Sequence, residues 1–116
     1  MAEFDPTGRS QHEAGAKVDG GKVDLTLVPP EVAEAMARVQ DYGAKKYTRD
    51  GWRSVPDAAR RYYAALKRHL AAFEKGEDVD PETGLHHLDH ALCNLGFLAW
   101  FREHGVDVGG WRYRDQ

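Results

Sequence analysis

Three absences narrow this chain of 116 residues before any motif is considered. Cys93 is its one cysteine, which excludes an intrachain disulfide and leaves the redox compartment open. No apolar run is long enough to span a bilayer and no signal-peptide pattern opens the chain, so a soluble, cytoplasmic protein is expected. Basic charge is not in excess: 16 Lys and Arg stand against 19 Asp and Glu, for a formal net charge of −3. That balance argues against docking on a nucleic-acid backbone, although Arg60-Arg61 and Lys67-Arg68 cluster locally. Internal repeats and low-complexity tracts are also missing, and the length suits one domain with a modest core.

What is present reads as helix. Residues 1–21 are polar and glycine-rich and are expected to form a flexible arm, followed by a short extended piece at Val23–Val28. A helical domain is expected over 22–105 and a tail over 106–116. Pro30 suits a helix start, and Val32, Met36 and Val39 give a narrow apolar stripe up to a stop at Gly43. The second helix is expected after Ser54-Val55-Pro56-Asp57, with Tyr62, Leu66, Leu70 and Phe73 as its buried stripe and Gly76 as its end. Asp80-Pro81-Glu82 has the same cap-proline-acid form, so a third helix is expected from there to Gly105. Its stripe is Leu85, Leu88, Leu92 and Leu95, and its later half (Phe97, Leu98, Trp100, Phe101) is apolar on nearly every side. A helix that apolar calls for a partner subunit. The class is all-α: an antiparallel helical bundle with its core completed by oligomerisation.

The chemistry concentrates around the third helix. His87, His90 and Asn94 are spaced i, i+3 and i+7 and project from one face, with His86, Asp89 and Cys93 on the next strip. The carboxylates of Glu77, Asp80 and Glu82 stand about one turn away. Imidazoles and carboxylates gathered from one direction are the ingredients of a metal site, so Glu77, Asp80, Glu82, His87 and His90 are the candidate ligands. Asp80 can equally be an N-cap, whereas Glu77 precedes the cap and has no such structural reason. On an antiparallel hairpin His69 either faces His87 or His90 across the helices or is a half-buried spacer. Glu77, His69 and Asn94 are the candidates for a direct part in catalysis. Lys45, Lys46 and Arg68 offer cations for phosphate, while Tyr47 and Trp52 offer faces for a base.

Taken together, Lys22-Val23-Asp24-Leu25, Gly43-Ala44-Lys45-Lys46-Tyr47, Gly51-Trp52, Arg68-His69-Leu70, the run Gly76 to Gly84 and the run His87 to Asn94 carry a resemblance. In this order they resemble a phage-associated family of dATP/dGTP diphosphohydrolases of the MazZ type, distantly similar to MazG nucleotide pyrophosphohydrolases. The resemblance covers about residues 20 to 101. It implies a MazG-like, all-α, homo-oligomeric enzyme (dimer or tetramer) that uses Mg²⁺ or Mn²⁺. Such an enzyme cuts a purine (deoxy)nucleoside triphosphate between the α and β phosphates, giving monophosphate and pyrophosphate in the host cytoplasm. In phages of this type the activity supplies dGMP for DNA containing 2-aminoadenine.

The chain departs from MazG where that family carries E-x-x-E on one helix and E-x-x-D on the next. Here His87-x-x-His90 or His86-x-x-Asp89 replaces the second motif, so that either the acidic ligands come from the hinge over residues 74–82 or the metal set differs. Two rivals keep the same residues: a metal phosphohydrolase releasing triphosphate, and a non-catalytic adaptor whose histidines hold structural zinc. A membrane or nucleic-acid partner is not expected.

Overall fold

The computed structural model describes residues 2–113. Met1 and residues 114–116, at the outer ends of the expected arm and tail, lie outside the described residues. Three helices carry the fold: α1 over Pro30–Lys46, α2 over Ala58–Glu74 and α3 over His87–Glu103. Among the described residues no strand forms; Phe4 with Ser10 and Val79 with His86 make isolated antiparallel bridges. The class is all-α, as the periodicity implied.

α3 is the central element, packed against both α1 and α2, which scarcely touch each other. Tyr62 of α2 meets Phe97 and Phe101, while His69 meets His87 and His90, so the α2–α3 hairpin is antiparallel. α1 also runs antiparallel to α3. Its Met36 methyl rests over Gly96, and Arg38 pairs with Asp89 at 3.3 Å.

The helix ends follow local chemistry more than the expected boundaries. α1 continues through Gly43, because one glycine costs a helix only about 1 kcal/mol and Lys45 and Lys46 favourably meet its C-terminal dipole. Ser54 does not cap α2; it ends a one-turn 3₁₀ helix over Gly51–Ser54. Asp57 then turns the chain in the left-handed region at φ 55° before Ala58 begins the helix. The C-terminus of α2 is the expected one. Gly76, at φ 99°, donates to the Phe73 carbonyl and Glu77 to the Ala72 carbonyl, a pair of bonds that satisfies the last turn. The same arrangement closes α3 at Gly105 and Val106.

The start of α3 differs most. Asp80-Pro81-Glu82 forms a turn instead of a cap: the Asp80 carboxylate accepts the Glu82 N–H, and its carbonyl accepts the N–H of Gly84 at φ 72°. The chain doubles back through the Val79–His86 bridge, His87 donates to the Asp78 carbonyl, and the His86 ring caps the helix by accepting from Leu88.

The core lies at the far end of the hairpin. Phe101, 3% exposed, packs on Ala58 and Ala59, with Trp52, Tyr62, Phe97, Leu98 and Trp100 around them. The small alanines let α3 approach closely. Burying one such aromatic contributes roughly 1.5–3 kcal/mol. Val108 and Trp111 of the tail join this cluster, so the tail is docked to that depth. Leu88 and Leu95, expected inside, are 43% and 51% exposed; the buried residues of α3 are instead His87, His90, Ala91, Cys93, Asn94 and Phe101. Leu70 and Phe73 of α2 are also exposed, because α3 is the one long helix packed substantially on α2.

The arm is turned upon itself around Asp5, whose carboxylate accepts from the N–H groups of Thr7, Arg9 and Lys17. The expected extended piece is a single 3₁₀ turn over Leu25–Leu27, capped by Asp24. A radius of gyration of 19.6 Å, against about 13 Å for a compact chain of this length, reflects how little the arm packs on the helices.

Candidate metal centre

Asp80, held by its own turn, is brought to the two facing helices. His69 of α2 and His90 of α3 stack with ring centroids 4.3 Å apart and planes 2° from parallel. Asp80 Oδ2 lies 3.6 Å from His90 Nε2. His69, Asp80 and His90 each offer a ligand atom, all within 4.8 Å of one another. This group can hold a divalent ion, and an N₂O donor set of two imidazoles and one carboxylate is chemically apt for it.

Burial prepares the imidazoles. His69 is pushed down to about 4, chiefly by desolvation and then by the neighbouring rings of His90 and His87, against an opposing pull from Asp80. His90 is also lowered by desolvation, with Asp80 again opposing. Both rings are therefore neutral near pH 7, the form that binds metal, and the His90–Asp80 approach is not a charge pair. Thr83 Oγ1 lies 2.7 Å from His90 Nε2, while the hydroxyl oxygen accepts the Leu85 N–H.

The remaining expected ligands stand around this triad. Both nitrogens of His87, a ring 5% exposed, are engaged: Nδ1 with His69 Nδ1 at 2.9 Å, Nε2 with Glu77 Oε1 at 2.7 Å. Glu77 and His87 thus lie beside the triad and not in it. Glu82 turns away to Lys46, 3.1 Å distant, and reaches His90 only as a nearby charge. Asn94 is buried, but its amide donates to the His90 carbonyl one turn back and not into the site.

The expected nucleotide-binding residues are dispersed. Trp52 is built into the aromatic core, stacked on Phe97 at 4.3 Å and edge-on to Trp100, which accounts for its ring without a base. Tyr47 is 73% exposed beneath the Lys46 ammonium, and Arg68 is exposed on α2 next to His69. Lys45 pairs with Asp41 at 3.0 Å and lines an open cleft of about 270 Å³ with Arg38, Asp41, Tyr42, Thr83 and Leu85. Thr83 borders both this cleft and His90. Arg38, Tyr42 and Thr83 were not among the expected site residues. For the first two a signal existed: Arg38, Tyr42 and Lys45 recur at i, i+4 and i+7 on α1.

Stacked imidazoles, a clamped carboxylate and an adjoining cleft lined by Arg38, Asp41 and Lys45 define an all-α protein with a candidate divalent-metal centre. The chain belongs to the dATP/dGTP diphosphohydrolase family, whose N-terminal domain description matches residues 12–109. A dATP/dGTP diphosphohydrolase of Salmonella phage PMBT28 is 43% identical over 86 residues, covering 74% of this chain and 29% of that protein. This chain thus spans less than a third of that relative's length. No solved structure matches it. Among the described residues, no helix is long and apolar enough to cross a membrane.

Proposed function

We propose that this chain carries the metal centre and phosphate-binding cleft of a purine deoxynucleoside triphosphate diphosphohydrolase, converting dATP or dGTP to the monophosphate and pyrophosphate. The carrying observation is the convergence of His69, Asp80 and His90 within 4.8 Å beside a cleft that holds Lys45 and Arg38. The relative's name supports the substrate class. Two imidazoles among three ligands favour Mn²⁺ over Mg²⁺, which prefers oxygen donors and retains its waters. When bound, such an ion supplies positive charge for the triphosphate and acidifies a water at neutral pH.

The chain's own residues do the rest. Lys45 and Arg38 take the phosphates, exchanging for them the exposed carboxylate of Asp41 and the partly buried one of Asp89; an exposed pair such as Lys45 with Asp41 is worth about 1 kcal/mol or less. Tyr42 offers a ring beside them for the base. Thr83 joins the cleft to His90. A second copy of the chain covers the exposed Leu70, Phe73, Leu88 and Leu95, completing the MazG-like core; light scattering giving a monomer mass rejects that part alone.

Incubation with each dNTP and NTP, plus Mn²⁺ or Mg²⁺, followed by chromatography tests the activity. Monophosphate plus pyrophosphate, strongest for dATP and dGTP, is the expected result. Released triphosphate points to the phosphohydrolase rival. Stoichiometric zinc that survives dialysis, without turnover of any nucleotide, points to a structural site.

A further inference from the structure

Two of the three rings, His69 and His87, form with Glu77 a chain of hydrogen bonds that has a direction. An ionised carboxylate has no proton to give, so the 2.7 Å contact of Glu77 Oε1 with His87 Nε2 places the proton on that nitrogen. With one proton on the ring, His87 has only a lone pair at Nδ1. The 2.9 Å contact between His87 Nδ1 and His69 Nδ1 needs one donor and one acceptor. His69 must be the donor. Its proton is on Nδ1, and Nε2 is left with the free lone pair. We infer that Glu77 and His87 are positioning residues that set the tautomer of His69, so that its Nε2 is the nitrogen presented to a divalent ion shared with Asp80 and His90.

This rests on the metal reading above and changes what two residues do in it. Glu77 and His87 act through His69 instead of touching the ion. The geometry suits that role. His87 is almost wholly buried and has no unused nitrogen, while Glu77 is half exposed at the solvent end of the relay. The hydrogen-bonded glycine stop of α2 fixes the backbone of Glu77 directly after the helix, and the Asp78 carbonyl anchors the first N–H of α3 at His87. Glu77 and His87 are thus both tied by main-chain bonds. A carboxylate–histidine pair behind a ligand histidine has the same logic as the outer partners that orient ligands in other metal centres.

Long-range ¹H–¹⁵N correlation of the histidine rings in the metal-free full chain, at pH 8, reads the tautomers directly. The expected result is an Nε2-protonated His87 and an Nδ1-protonated His69. Glu77→Leu is expected to mix both tautomers and to weaken Co²⁺ binding, followed by its visible absorption, by roughly 10- to 100-fold with the helical circular dichroism unchanged. Glu77→Gln, which keeps an acceptor oxygen, is expected to restore most of both. His69 protonated on Nε2 in the unsubstituted chain overturns the relay whatever the variants do. So does a Glu77→Leu chain whose tautomers are unaltered. Expected tautomers in a chain that takes up neither Co²⁺ nor Mn²⁺ uphold the relay and overturn the metal reading, so the two failures are distinct.

Discussion

One inward-facing stripe of α3 changes character along its length. Its first half, His87, His90 and Asn94, is polar; its second half, Phe97 and Phe101, is aromatic. Both halves face α2 at helical spacing, and His87, His90, Asn94 and Phe101 are all buried. The aromatic half is held by area removed from water and ring-on-ring contact, with Trp52, Tyr62 and Trp100 around it. The polar half gains little from burial. It is tolerated because its polar atoms find partners in Glu77, Thr83, Asp80 and one another. The aromatic packing and the candidate metal centre are thus separated along a single hairpin, the one anchoring the helices that position the other.

The sharpest way to break this division is at His90. Replacement by alanine is expected to abolish turnover and Mn²⁺ uptake while leaving most of the urea-unfolding free energy, since the aromatic end is untouched. A variant that unfolds and loses activity together would show that the two ends are not separable. Phe101→Ala should do the opposite. It is expected to cost about 3–5 kcal/mol by urea titration, with any chain that remains folded still binding metal at its polar end.

A smaller effect comes from pH. In the folded metal-free chain His69 takes a proton only near 4, whereas in the unfolded chain it does so near its ordinary value of 6.5. Between those values the unfolded state holds more protons, so stability is complete above 6.5 and is lost progressively as pH falls toward 4. His90 acts in the same direction. Urea midpoints measured at pH 7.5 and 5 should therefore fall in the acid, and bound Mn²⁺ should steepen the dependence. A flat profile would remove the buried, neutral imidazoles from the account.

Much of this was legible in the sequence, and the failures have physical causes. Three helices, the stops at Gly76 and Gly105, and the histidine-rich third helix follow from period and from glycine's access to positive φ. The facing of His69 toward His87 and His90 was legible as one of two alternatives. The cap at Asp80 misled because a cap and an aspartate turn share their chemistry: each is a short carboxylate accepting a nearby main-chain N–H. Only the pairing of Val79 with His86 decides between them. The leucine stripe misled because hydrophobicity was taken as the mark of burial, whereas satisfied hydrogen bonds bury His87, His90 and Asn94 ahead of Leu88 and Leu95. Glu82 and Trp52 were drawn elsewhere, by Lys46 and by Phe97, through contacts between distant positions that no local pattern encodes.

The loop between Asp78 and His87 bears on how the centre is assembled. It is closed by its own main-chain bonds, His87 to Asp78 and Asp80 to Leu85. Closing so short a loop costs little entropy, and all three candidate ligand residues come from this one helix–loop–helix stretch. The centre therefore has low contact order and can form early, as soon as the hairpin zips, without waiting for α1 or the arm. The placement of His69, Asp80 and His90 is thus modular: changes confined to the arm or to α1 are expected to leave these three side chains where the hairpin puts them.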